Sequence, residues 1–82
     1  MDYICQGTCS AKISYNIYEE GGVKRVSNVN FYGGCSGNTQ GIAKLVEGMP
    51  IDEVINRCKG IRCGFKPTSC PDQLAKALEQ VK

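Results

Sequence analysis

Six cysteines and no histidine occur among these 82 residues, so the chemistry this chain could do rests first on its thiols. Without an imidazole, every mixed cysteine–histidine zinc pattern is excluded, and an all-thiolate or thiolate–carboxylate site remains. Cys9, Cys35, Cys63 and Cys70 fall in non-helical segments beside glycine or serine, where a thiol is not needed as packing. Structural zinc takes four such ligands. Cys58 sits at an apolar helical spacing and reads as a small core side chain, while Cys5 is only a reserve candidate. Cys35 precedes the first expected helix and Cys70 is placed at the N-cap of the third, where free N–H groups and the helix dipole favour a thiolate.

The spacing leaves three chemistries open. Zinc knuckles usually pair cysteines as C-x₂₋₄-C, whereas Cys63 and Cys70 have six residues between them. A metal site ranks first, ahead of a redox dithiol formed by Cys63 and Cys70 and ahead of incidental buried thiols. Isolated cysteines favour zinc over an iron–sulfur cluster. A second constellation, FYGGCSGNTQG at 31–41, is glycine-rich at a strand-to-helix junction, a place where backbone amides can bind phosphate or a nucleotide. Its glycines match neither the dinucleotide fingerprint nor the P-loop, and a tight turn around Cys35 is the simpler reading. Arg57, Lys59, Arg62 and Lys66 form a stretch without acidic residues. It could offset a zinc tetrathiolate or meet a protein or nucleic-acid partner, and the plainer alternative is a solvated loop.

The elements that must position these residues follow from periodicity. Residues 11–18, AKISYNIY, alternate with Ile13, Tyr15 and Ile17 on one face, as a half-buried strand does. EEGG at 19–22 is a turn, and VKRVSNVNFY at 23–32 returns as a second strand with a bulge expected near Ser27 and Asn28. Residues 2–6 add a possible third strand. Ile42, Leu45, Val46 and Met49 then form a helical stripe stopped by Gly48. A second helix is expected over 51–58 with Asp52 and Glu53 in its first turn. A third runs from Pro71 to about Val81 with Leu74, Ala77, Leu78 and Val81 inward. Strands followed by helices give an α+β domain: an antiparallel sheet of two to three strands with three helices packed on one face, spanning 1–82 as a single unit.

Composition bounds the rest. A domain this small buries only about 60% of its unfolded surface, so a second stabilising device is no surprise. The formal charge of +2 is too near balance to mark a nucleic-acid protein. MDYICQGTCSAK shows no basic stretch followed by an apolar run, and no segment suits a membrane span. The expectation is a soluble cytoplasmic protein, where thiols stay reduced and metal or redox chemistry precedes structural disulfides.

These residues resemble a known family. TSCPD at 68–72 is the string that names the TSCPD domain, and GGCSGNTQGI, LVEGM, CKGIRCG and TSCPDQLAKAL are similar to its small stand-alone members. The resemblance runs from about Cys9 to Leu78. It implies a relation to the C-terminal domain of adenosylcobalamin-dependent ribonucleotide reductases. It also implies that Cys9, Cys35, Cys63 and Cys70 are the family's zinc-binding set, with Cys5 and Cys58 as extras. Family members often carry a serine or threonine cap where Pro50 stands here. A reductase needs a barrel and a radical-generating cofactor that 82 residues cannot house, so the chain is not expected to be that enzyme on its own. The leading expectation is a noncatalytic zinc module, and the alternative from a different class is a thiol reductant serving a reductase or another partner.

Overall fold

The computed structural model describes residues 1–5, 10–33, 36–62 and 68–81, with only the backbone described at Ser10, Ser36, Gly37 and Asn38. Three antiparallel strands, β1 (Asp2–Ile4), β2 (Ser10–Glu20) and β3 (Val23–Gly33), form a sheet in the order β1-β2-β3. Three helices follow, α1 (Ser36–Val46), α2 (Ile51–Cys58) and α3 (Cys70–Glu79), so the fold is α+β. No helix among the described residues is long and apolar enough to cross a membrane.

Gly21 and Gly22, both at positive φ, make the two-residue turn that matches the twist of the β2–β3 hairpin. Pairing then slips where the sequence alternation slips. Ser14 pairs with Asn30 but Asn16 pairs with Ser27, so Asn28 and Val29 together oppose Tyr15, and Asn28 takes a φ of 53°. The bulge returns Val29 to the buried face beside Val26 and Ile13. The opposite face stays polar and open, with the Lys12 ammonium 4.6 Å from the centre of the Tyr32 ring.

Helix α3 lies along the buried face in a direction fixed at two points. The Tyr15 hydroxyl donates to the Ala77 carbonyl at 3.4 Å, and Lys24 Nζ donates to the Val81 carbonyl at 3.1 Å. Lys24 pairs with Glu19 near the hairpin tip. The helix therefore runs parallel to β2 and antiparallel to β3, with its first residue, Cys70, toward the sheet end where the chain enters β2. Leu74 and Leu78 are fully buried there with Ile13, Val26 and Val54.

Two expectations are corrected. Leu45 is not core but 78% exposed. Helix α1 ends at Val46, Gly48 turns the chain at φ 78°, and Gly48 and Met49 hydrogen-bond with Val26 instead of extending the helix. Thr39, Ile42, Ala43 and Val46 form the inward stripe in its place. Cys70 is not the N-cap of α3; Ser69 is, with Cys70 first and Pro71 second in the helix. Pro50 caps α2 without a side-chain hydrogen bond, as its lack of a hydroxyl requires.

Candidate functional site

The Thr68–Asp72 stretch builds its own scaffold. Ser69, extended at φ −150°, accepts from the Asp72 amide at 3.1 Å and so satisfies one of the free N–H groups at the start of α3. In a capping box the residue at this position would turn back to the cap's own amide. Asp72 instead reaches across the fold: its Oδ1 accepts from the Gly60 amide at 2.7 Å, and its Oδ2 accepts from the Thr68 hydroxyl. Lys76 stands one turn on, 3.5 Å from Oδ2. Gln73 Nε2 donates to Thr68 Oγ1 at 2.9 Å, which locks the hydroxyl in place. Asp72 is only 3% exposed. Burial pushes its carboxyl pKa up, but the bonds from Thr68 and Gly60 and the charge of Lys76 outweigh burial and hold it below the usual value. Gly60 takes a φ of 86° at the end of α2, a conformation that suits glycine, and its amide is free to be captured. One carboxylate thus ties the end of α2 to the start of α3. Sequence reasoning missed this tie, although Ser69-x-x-Asp72 ahead of an apolar run was the available signal.

Of the four predicted ligands, Cys70 is described, and Cys9, Cys35 and Cys63 lie outside the described residues. Cys70 is 7% exposed at the first position of α3. The described neighbours of the other three lead to the same end of the molecule. Ser10, next to Cys9, pairs with Gly33, two residues before Cys35. Gly60, three residues before Cys63, is held by Asp72, two residues after Cys70. Among the described residues no three cysteines or carboxylates group as a metal site. Cys58 rests against the core, and burial raises its pKa, as a packing residue requires. Cys5 also packs against the core at the end of β1, where its amide donates to the Ala11 carbonyl at 3.0 Å.

The basic stretch is less bare than its sequence suggests. Arg57 bonds Glu53 one turn earlier at 2.8 Å, and Lys59 Nζ lies 2.7 Å from Glu79 Oε2 on α3. Arg62 is exposed, and Lys66 lies outside the described residues. The glycine-rich junction is described at Gly33, whose φ is 88°, and from Ser36 onward; Gly34 and Cys35 lie outside.

A family model described as the TSCPD domain matches residues 1–82, the whole chain. No curated protein and no solved structure matches it.

Proposed function

The chain belongs to the TSCPD domain family, and on that premise we propose that it is a noncatalytic zinc-binding module whose Cys9, Cys35, Cys63 and Cys70 hold a single ion and which contacts a protein or nucleic-acid partner. The reading is supported by convergence: the Ser10–Gly33 pair and the Gly60–Asp72 bond hold described residues that neighbour Cys9, Cys35 and Cys63 in sequence toward the end of the sheet where α3 begins with Cys70. The donors suit the group. All are thiols, there is no histidine to make a mixed site, and Cys70 occupies a buried helix start, where the helix dipole favours a thiolate. Bound there, zinc would supply a crosslink that a small domain needs, and the protein's own part is to fix the thiols.

Elemental analysis of protein purified under reducing conditions tests this directly. Wild type is expected to carry zinc in equal proportion to chain, Cys58→Ala to keep it, and Cys70→Ser to lose it. Metal-free wild type, or a Cys58→Ala variant that loses zinc while Cys70→Ser retains it, overturns the reading. Iron with visible absorption would replace zinc by a cluster. Because Glu53 and Glu79 already answer Arg57 and Lys59, any nucleic-acid binding is expected to be weak, indifferent to sequence and steeply reduced by salt.

A further inference from the structure

β3 is an outer strand of the sheet, and its outward edge is only partly used. Nearer the hairpin tip the chain itself fills that edge. The Val26 amide donates to the Met49 carbonyl at 3.1 Å, the Gly48 amide donates to the Val26 carbonyl at 2.8 Å, and Pro50 bridges Arg25 in the antiparallel sense. At the bulge Glu47 takes the next outward donor, accepting from the Asn28 amide at 2.9 Å. Beyond Asn28 the phase of the ladder decides what remains. Tyr15 exchanges both backbone bonds with Met1, and the Cys5 amide donates to the Ala11 carbonyl, so Ala11, Ile13 and Tyr15 turn their backbone groups toward β1. Lys12 and Ser14 therefore bond their partners Tyr32 and Asn30, which leaves the amides and carbonyls of Val29 and Phe31 pointing away from the sheet. Among the described residues none pairs with them there.

Helix α1 walls this open stretch. Asn28, Val29 and Asn30 on the strand and Gln40, Lys44 and Glu47 on the helix line a groove of about 760 Å³. Its charges are unevenly answered. Glu47 is engaged by the Asn28 amide, whereas Lys44 is exposed and has no acidic partner among the described residues. Lys12, Arg25, Arg57, Lys59 and Lys76 each lie beside a carboxylate, and Lys24 bonds a carbonyl. A second copy of the chain does not fit this edge. Paired strands lie about 4.8 Å apart, packed helices need about 8–10 Å, and Glu47 sets α1 against the edge, so two α1 helices would collide across a β3–β3 pair. A lone extended segment brings no helix with it.

We propose that this groove is a docking site for an extended acidic peptide of another protein, which adds as a fourth strand antiparallel to β3 and sets a carboxylate against Lys44. From Asn28 to Gly33 the edge runs about 17 Å, room for about five residues. Main-chain bonds to Val29 and Phe31 give affinity for an extended chain, and Lys44 gives the preference for acid. The proposal rests on the partner contact in the proposed function, for which it names the surface and the chemistry, and it does not draw on the zinc site.

The full chain as purified, isotopically labelled for NMR, is titrated with two mixtures of heptapeptides blocked at both ends. Glutamate is fixed at the centre of one mixture and lysine at the centre of the other, with valine, threonine, isoleucine or tyrosine elsewhere. The glutamate mixture is expected to shift the amides of Asn28, Val29, Phe31 and Lys44, and to bind about fivefold more tightly than the lysine mixture. Lys44→Glu, a change at an exposed helical position, should reverse that order with the fold intact. Methylating the main-chain nitrogens of the peptides should abolish the shifts, because strand pairing needs those donors. Shifts centred on Tyr18 and Tyr32 of the open sheet face, equal binding of the two mixtures, or no shift at millimolar peptide overturns the proposal. Zinc content is measured on the same sample, so metal-free protein that binds peptide, or zinc-loaded protein that does not, tells failure of one reading from failure of the other.

Discussion

Asp72 is an ionised carboxylate almost without solvent contact, and three donors from three parts of the chain compensate for its burial. Asp72→Ala would leave the Gly60 amide and the Thr68 hydroxyl without their acceptor, at a cost of about 2–3 kcal/mol. Denaturant melts of the variant check this, and a loss below about 0.5 kcal/mol would mean that the tie is ornamental. The pH dependence has a definite sign. The folded pKa is held below the unfolded one, so Asp72 contributes stability above about pH 4, and that contribution is lost as pH falls through the lower folded value. The stability gap between wild type and Asp72→Ala should therefore be full at neutral pH and shrink below about pH 4. None of this was legible from composition, because a buried carboxylate declares itself only when the donors around it are known. The cap was misplaced by one residue for a related reason. Thiol and hydroxyl stood side by side, and only the backbone geometry at Ser69 separates the cap from the first helical residue.

The hairpin was readable because a period of two leaves little choice, and even its defect was visible: Val26 and Val29 cannot share a face without the extra residue that Asn28 supplies. Helix α1 was readable as a helix but not in its facing. Two stripes share Ile42 and Val46, and periodicity cannot choose between Leu45 and Ala43 as their companion. The choice is made by Gly48, which ends the helix early and sends Met49 to the edge of β3. Helices α2 and α3 kept the stripes read from their periodicity, Ile51, Val54 and Ile55 in one and Leu74, Ala77 and Leu78 in the other, although α3 also buries Asp72, Gln73 and Ala75. This yields a contrast testable by thermal melts. Leu45→Lys should change stability by no more than about 0.5 kcal/mol, whereas Leu74→Ala should cost about 2–5 kcal/mol because Leu74 is fully enclosed. A large loss in Leu45→Lys would show that its exposed side chain is covered in solution.

At the scale of the molecule the two kinds of order separate along the sheet. Toward the hairpin tip the fold is held by apolar contact and by bonds to backbone carbonyls, the Val26 amide donating to Met49 and the Lys24 ammonium to Val81. Toward the other end the sheet narrows to the Ser10–Gly33 pair, and the order of the described chain rests on Asp72, Ser69 and the Cys5–Ala11 bond. The sequence could name the thiols but not place them, because ligands scattered over a whole chain can meet only through the tertiary fold; of the four, Cys70 is described, and it lies at this end. If zinc is the crosslink that completes this end, chelation should act locally before it acts globally. Hydrogen exchange followed amide by amide should show Cys5, Gly60 and Asp72 losing protection about tenfold or more on chelation, a local destabilisation of about 1.4 kcal/mol. The amides of Ile17 and Val26 should keep theirs. Equal loss at every amide would mean instead that the domain opens as one unit with its metal. Unchanged exchange throughout, in protein shown to have given up zinc, would mean that the ion does not hold this end of the fold.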